Sequence, residues 1–139
     1  MRQNGRSQPY FRLAFLGDTY PTIDYLVELV GAGGRFVPYF FVQVKTTAQG
    51  FTANGQLKVR VGRADLARLV TYPAPRYILG IDEPREVGYL VAALGPVSSG
   101  LSSLPVTHPL DLPALAVLYD EVRNFWGNHG ADFATSAFA

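Results

Sequence analysis

The sequence predicts an α/β (α+β) fold with a mixed central sheet of about five strands flanked by helices. Three observations predict it. The chain has 139 residues and 48% hydrophobic content, which suits one compact domain over residues 1–139. Extended apolar segments come first and are followed by a helical segment, two more strands and a closing helix. Because strands and helices do not alternate throughout, the order favours a mixed or antiparallel sheet covered by helices over a doubly wound fold.

The first part of the chain predicts a pair of strands. Residues 1–9 are polar and are expected to be disordered, whereas residues 10–17 suit either a strand or the last turns of a shortened helix. Residues 23–30 are rich in β-branched and aromatic side chains, residues 31–34 supply a glycine-rich turn, and residues 39–45 return as the second strand. This hairpin is the clearest element of the sequence.

The middle of the chain predicts a turn, an alternating segment and a short helix. "NG" at residues 54–55 precedes "QLKVRV", in which Lys58 and Arg60 share one face and the aliphatic side chains share the other. Residues 63–73 carry leucine and valine at helical spacing and end at prolines. We therefore expect a helix there.

The remaining residues predict two more strands and the closing helix. Residues 76–82 are mostly apolar, which suits a strand buried on both faces, and residues 87–94 run back after a turn. Asp111 is expected to cap the N-terminus of a helix over residues 111–126, whose apolar side chains form one stripe. The predicted core spans residues 18–94.

The composition argues against disulfides, thiolate metal sites and a membrane span. The chain has no cysteine and two histidines, so it forms no disulfide framework or thiolate metal site, and any metal must be held mainly by oxygen. No run approaches the ~18 apolar residues of a membrane span, and Arg12 interrupts the short apolar patch near the start. We expect a soluble, cytoplasmic protein with no membrane partner.

Charge is distributed unevenly along the chain. The net charge is +1, but residues 1–76 hold ten Lys and Arg against four Asp and Glu, whereas residues 77–139 hold two against seven. The basic part suits contact with a polyanion, although the small total argues against tight non-specific binding of nucleic acid. The alternative is that the two parts attract each other or a second copy of the chain.

Three polar side chains in the hairpin are of the types that surround one ion and one water. Side chains alternate faces along a strand, so Gln43 and Lys45 share one face of the second strand. If the turn is centred between Gly33 and Gly34, Asp24 lies opposite Gln43, and a shift of the centre places it opposite Lys45 instead. Opposed Cβ atoms lie about 5 Å apart, so either register gathers a carboxylate, an amide and an ammonium.

Two more acids are secondary candidates, and the three polar side chains also have an ordinary explanation. Glu28 lies four residues, roughly 13 Å, beyond Asp24 and is too far away to share one ion, while Asp18 either folds back towards the site or caps a turn. In the ordinary explanation, Asp24 caps a turn, Gln43 faces solvent and Lys45 forms a surface ion pair. Against it stands a polar pair inside an otherwise apolar strand, because a buried lysine needs a partner.

Several segments of the chain follow one another in this order: "IDYLVEL", a glycine-rich turn, "FFVQVKTT" and, after a short helix, "YPAPRYILGIDEPREVGYLV". In these segments the chain resembles a bacterial domain-of-unknown-function family of PD-(D/E)xK nuclease-like proteins. The resemblance covers residues 18–94 and follows the variant whose second motif is Gln-x-Lys, as in Mrr-type restriction enzymes. It implies a restriction-endonuclease-like fold and hydrolysis of phosphodiester bonds in nucleic acid, expected to be DNA, with Mg²⁺ or Mn²⁺.

The resemblance also implies roles for single residues. Asp24 would ligate the cation together with Gln43 and the carbonyl of Val44, and Lys45 would position or activate the attacking water. Contacts to the nucleic-acid phosphates are also expected from Thr46, Thr47, Lys58, Arg60 and Arg63, and the alternative is that these are ordinary solvated side chains.

One departure from the family pattern leaves two hypotheses open. Family members usually carry a Glu on a helix before the Asp, but residues 1–23 contain no Glu, so that helix is expected to be shortened or lost. The first hypothesis is a Mg²⁺-dependent nuclease, acting as a homodimer in defence or repair. The second is a nuclease-like fold that no longer cuts and binds nucleic acid or assembles proteins, through the basic part or an apolar surface near Phe125 and Trp126. Neither His108 nor His129 supports a third class, a small-molecule enzyme.

Overall fold

A computed structural model describes residues 10–17, 22–33, 36–128 and 133–139. Along this part of the chain the elements are β1 (Tyr10–Phe15), β2 (Tyr25–Val30), β3 (Tyr39–Thr47), α1 (Arg63–Leu69), β4 (Arg76–Asp82), β5 (Val87–Ala92) and α2 (Leu112–Gly127). The strands form one sheet in chain order, β1-β2-β3-β4-β5. β3 and β4 are parallel, and the other neighbours are antiparallel. The predicted α+β class with a mixed sheet of about five strands and flanking helices is confirmed.

The two helices cover opposite faces of this sheet. Leu66 and Leu69 of α1 pack with Ile78 of β4 on one side, here named the α1 face. Leu118 and Val122 of α2 pack on the other side, the α2 face. The core therefore has two halves separated by the sheet, and side-chain alternation assigns each strand residue to one of them.

Most strand and helix boundaries agree closely with those predicted, but α1 ends at Leu69, four residues before the predicted end at residue 73. Residues 76–82 form β4, and Asp111 caps α2 by accepting a hydrogen bond from the Ala114 N–H at 2.9 Å. Residues 10–17, for which the sequence left strand and helix open, contain β1, because each of its residues faces one of β2 in an antiparallel pair. Residues 1–9, expected to be disordered, lie outside the described residues.

The segment after the 54–55 turn differs from the sequence prediction. It forms isolated bridges and no continuous strand, because its neighbours meet it only locally, as Leu104 does at Leu57 and Leu101 does at Val61. Its predicted alternation is confirmed by burial, since Leu57 and Val61 are buried while Lys58 is exposed. The segment therefore lies over the α1 face with its basic side chains directed outwards.

Two glycines allow this segment and the loop after β5 to pack closely. A Cβ on Gly80 would lie 2.7 Å from Leu104 Cδ1 and 2.9 Å from Leu57 Cδ2, so both leucines lie directly against the β4 backbone. A Cβ on Gly100 would lie 2.4 Å from the Val61 carbonyl oxygen. That oxygen belongs to the backbone pairing that joins segment and loop, so it cannot move away without breaking the pairing.

We predict that Gly100→Ala lowers the free energy of unfolding by about 2 kcal/mol or more, since the added methyl group overlaps backbone atoms. Urea denaturation measures the change. Gly127→Ala is the matched control, because no atom lies within 4 Å of the added Cβ and the position is helical. The control should be unchanged or more stable by up to ~1 kcal/mol. Equal stabilities of the two variants would contradict the packing described here.

Candidate metal and phosphate site

The strand register brings Asp24 to the end of the β2–β3 pair, next to Val42. Tyr25 faces Val42 and Leu26 faces Phe41 in this pair. This is the first of the two registers that the sequence allows, and the regular pairing ends at Tyr25, one residue after Asp24. β2 begins at Tyr25, so Asp24 lies just before the strand and its N–H donates to the Val42 carbonyl at 2.9 Å.

The carboxylate of Asp24 completes the ladder between β2 and β3. The Leu29 N–H donates to the Pro38 carbonyl, and such pairs recur every two residues, so the Ile23 carbonyl is the next acceptor expected for Val44. Instead, the Val44 N–H donates to Asp24 Oδ2 at 2.6 Å. A side-chain oxygen thus replaces a backbone oxygen, and this holds the Asp24 carboxylate against the edge of β3.

The carbonyl of Val44 is directed to the same edge. The Phe41 N–H donates to the Pro75 carbonyl and the Thr47 carbonyl accepts from Glu83, so the odd-numbered residues of β3 bond towards β4. The N–H and carbonyl of one strand residue point to the same neighbour, and those of Val44 therefore point towards the start of β2. Val44 accordingly offers a carbonyl oxygen on the side where the Asp24 carboxylate lies.

Gln43 places a buried amide on the α1 face of β3. Phe40 and Val42 pack on the α2 face and Phe41 on the α1 face, so the alternation puts Gln43 on the α1 face. Its side chain is 5% exposed, and its Oε1 has no hydrogen-bond partner. Because buried polar atoms are nearly always paired, the unpartnered Oε1 is an acceptor that can bind a water or a cation.

Lys45 lies two residues along the same face as Gln43. It is half-buried and faces Gly80 of β4, which has no side chain to meet it. Within the described ranges, Lys45 forms no ion pair or hydrogen bond through its ammonium. As far as the described residues show, the α1 face therefore carries an unpaired positive charge two residues along the strand from an unpaired amide oxygen.

The ordinary explanation of these three side chains does not hold. Asp24 accepts a hydrogen bond from the neighbouring strand and does not merely cap a turn. Gln43 is buried and does not face solvent. Lys45 has no acidic partner among the described residues. Among the described residues, the side chains of Asp24, Gln43 and Lys45 therefore form no hydrogen bond or ion pair with one another.

Thr22 is a residue at this site that no sequence pattern singled out. Its φ is 64°, a left-handed value that is an outlier for a β-branched residue, and its buried Oγ1 has no hydrogen-bond partner. It lies two residues before Asp24, so a strained backbone and a second unpartnered oxygen accompany the carboxylate. Such strain is typical of functional sites, where surrounding structure maintains it.

Asp82 is a second residue that the sequence analysis missed. It is 2% exposed and its Oδ2 has no hydrogen bond, with the Arg85 Nε at 3.7 Å. Its pairing with Thr47 places it two residues beyond the Gly80 that faces Lys45. Asp82 is therefore a buried carboxylate on the same face, although too far along the strand to share an ion with Asp24.

The two secondary candidates are not brought to this site. Glu28 accepts a hydrogen bond from Arg12 at 3.2 Å and forms an ion pair with it. Asp18 lies outside the described residues, as does His129. His108 packs its ring against Phe138 at 5.3 Å, and its carbonyl accepts from β5.

The residues expected to contact phosphate divide into two groups. Lys58, Arg60 and Arg63 are exposed. Thr47 is buried, because β3 continues to this residue beside β4, and its hydroxyl accepts from the Gln49 N–H at 3.0 Å, so it is unsuited to contact a phosphate. Thr46 is exposed but alternation places it on the α2 face, away from Lys45.

The apolar surface expected near the end of α2 is used within the fold. The Trp126 indole N–H donates to the Tyr39 carbonyl at 2.8 Å, and the Trp126 and Tyr39 rings lie 4.8 Å apart. Phe125 is half-buried and packs against Phe133, with ring centroids 6.0 Å apart. Neither aromatic side chain leaves a large apolar surface for a partner.

The donor set fits a weakly held Mg²⁺ or Mn²⁺. In the part of the chain that the structure describes, no group of three Asp, Glu, His or Cys side chains is placed to hold a metal. A Mg²⁺ ion, however, keeps several waters and takes only one or two carboxylates, with substrate phosphates completing its shell. Asp24, the unpartnered Gln43 Oε1 and the Val44 carbonyl are hard oxygen donors of the right kind.

Comparison of the chain with protein-family models, with curated proteins and with solved structures finds no match. Neither of the two helices in the described ranges is long and apolar enough to cross a membrane.

We predict that Asp24→Ala lowers the free energy of unfolding by about 1–2 kcal/mol, because it leaves the Val44 N–H without its acceptor. Asp24→Asn should remain closer to the wild type, since its amide oxygen still accepts that hydrogen bond. Urea denaturation gives the stabilities, and hydrogen exchange of the Val44 amide reports the bond itself. If the Val44 amide exchanged at the same rate in all three proteins, the bond would not exist in solution.

Proposed function

We propose that this chain is a metal-dependent nuclease-like domain that hydrolyses phosphodiester bonds of nucleic acid, with DNA as its substrate. One observation carries the proposal. The Asp24 carboxylate is held on Val44, between the two strand residues Gln43 and Lys45, whose side chains offer an unpartnered buried amide oxygen and an unpaired ammonium. A carboxylate and an amide oxygen are ligands that Mg²⁺ accepts, and a cationic side chain can stabilise the charge that develops on a phosphate.

Each residue has a role that follows from its chemistry. Asp24, Gln43 and the Val44 carbonyl would hold Mg²⁺ or Mn²⁺, which when bound polarises the phosphate and lowers the pKa of a coordinated water. Lys45 supplies a positive charge that stabilises the negative charge developing on the phosphate as a water oxygen adds to phosphorus. The bond from phosphorus to the sugar oxygen then breaks, and that oxygen leaves with a proton from the water.

A second candidate function rests on the number of carboxylates. Only Asp24 supplies a negative charge to the site among the described residues, and Gln43 is neutral. With a single carboxylate the site would hold a dication weakly, and the fold would then serve as a nucleic-acid-binding or protein-assembly module that does not cut.

The nuclease proposal extends to assembly and biological setting. Symmetric cutting of both strands of a duplex needs two active sites related by a two-fold axis, so we propose a homodimer on DNA. A cytoplasmic location and a role in defence or repair belong to the same proposal, since foreign or damaged DNA would be met there.

We predict that the protein cleaves plasmid DNA, linear DNA or RNA in the presence of Mg²⁺ or Mn²⁺, and that Asp24→Asn and Lys45→Met each lower the rate by at least about 100-fold. Gel assays with and without metal measure the rates. Asp24→Asn retains the acceptor for the Val44 N–H, so its loss of activity reports the lost charge and not a disturbed fold.

Glu28→Gln is the matched control for Asp24→Asn, because Glu28 is an acid of the same hairpin whose partner is Arg12. It should cut as fast as the wild type. If the wild type cuts no substrate and its melting temperature does not respond to Mg²⁺ or Mn²⁺, the nuclease proposal fails and the binding module is favoured. Cleavage that survives Asp24→Asn would place the active site elsewhere.

A further inference from the structure

We propose that the outer surface of the α1 side is the docking surface for the nucleic-acid backbone, through a basic row formed by Lys58, Arg60, Arg63 and Arg68. This inference rests on the proposed function, since it names the face by which the substrate approaches the site. The four side chains of the row are exposed. The row lies outside the segment and helix that cover the α1 face.

The segments that cover the α1 face carry almost no negative charge to offset this row. Its covering segments come from residues 48–72 and 93–107, whose side chains include Leu57, Leu69 and Leu104 of the core. Asp65 is the sole acid of those two stretches. An exposed row of four cations with one acid attracts phosphates by long-range electrostatics and sets the orientation of approach.

The α2 side has the opposite charge. Asp111, Asp120 and Glu121 lie at or within α2 against one cation, Arg123. Arg123 is already paired with Asp120 at 3.2 Å. A polyanion is therefore repelled by the α2 side and attracted by the α1 side, so the uneven charge along the sequence becomes an uneven charge between two sides of the sheet.

Among the described residues, no ion pair joins the basic first part of the chain to the acidic second part. The Arg12–Glu28 pair lies within the first part, and the Arg85–Asp82 and Arg123–Asp120 pairs lie within the second. Lys58 and Arg60 extend from an alternating segment whose aliphatic side chains are buried, so their charges remain at the surface.

The basic row is continuous with the candidate site. Lys45 faces Gly80, and the Cβ that Gly80 lacks would lie 2.9 Å from Leu57 Cδ2. Leu57 therefore packs over the β4 residue that pairs with Lys45, and Lys58, the first member of the row, is the next residue along the chain. A nucleic-acid strand lying on the row would thus extend towards Lys45 and the Asp24 carboxylate.

Duplex binding in the absence of divalent metal tests the docking surface without any contribution from cleavage. Fluorescence anisotropy with a short labelled DNA duplex in EDTA gives the Kd at a series of salt concentrations from about 50 to 200 mM. We expect Lys58→Gln/Arg60→Gln to raise Kd about tenfold at the lower salt concentration and to reduce the slope of log Kd against log salt by about 2.

Arg123→Gln is the matched control for Arg60→Gln, because it removes one exposed arginine charge from the opposite side. The control should leave Kd and the salt slope unchanged, while Arg60→Gln alone should reduce the slope by about 1. Equal effects of the two single variants, or no effect of the double variant at unchanged melting temperature, would overturn the inference.

Binding to lipid vesicles, measured in parallel, distinguishes nucleic acid from an anionic membrane as the partner. Phosphatidylserine vesicles should bind more weakly than the duplex, and tighter binding to vesicles through the same residues would overturn the inference. If the duplex binds through the basic row but is not cleaved in the presence of metal, the docking surface is supported and only the nuclease proposal fails.

Discussion

One hydrogen bond, from the Val44 N–H to Asp24 Oδ2 at 2.6 Å, sets the geometry on which the candidate site depends. It closes the β2–β3 ladder at a point where the backbone carbonyl of Ile23 would otherwise serve. Because the acceptor is a carboxylate, an acid is fixed at the boundary between two strands. Gln43 and Lys45 flank Val44 in the chain, so the same bond holds the acid beside both.

The polar atoms left unpaired around this bond account for the chemistry that we propose. Folding normally pairs buried oxygens, and an unpaired one costs about 1–3 kcal/mol. Two of the unpaired buried oxygens are Thr22 Oγ1 and Gln43 Oε1. Thr22 lies two residues before Asp24 in the chain, and Gln43 precedes the Val44 whose N–H binds the Asp24 carboxylate. The backbone of Thr22 is also strained, since its φ of 64° is a left-handed value. A cation with its waters and a phosphate would supply the partners that the protein itself does not.

Much of this arrangement follows from local patterns in the sequence. Hydrophobic alternation and the glycine-rich turn predict the hairpin but leave two registers open, and the polar pair Gln43 and Lys45 stands out within an apolar strand. The conformation of Thr22 and the bond from Asp24 to Val44 depend on how the chain enters β2, which no periodicity encodes. The burial of Thr47 was not predicted either, because it depends on the pairing of Thr47 with Asp82 of β4, a residue distant in the sequence. Likewise, the charge split along the chain gave no indication that it would become a split between two sides of the sheet.

The most direct measurement of the central claim is Mn²⁺ titration followed by NMR, since a paramagnetic ion broadens signals close to it. Low Mn²⁺ concentrations should broaden the backbone signals of Asp24 and Val44 and the side-chain amide of Gln43. Asp24→Asn should abolish this broadening while retaining the hydrogen bond to Val44. Broadening confined to the exposed acids near Glu83, or persisting at the hairpin in Asp24→Asn, would contradict the assignment of the site.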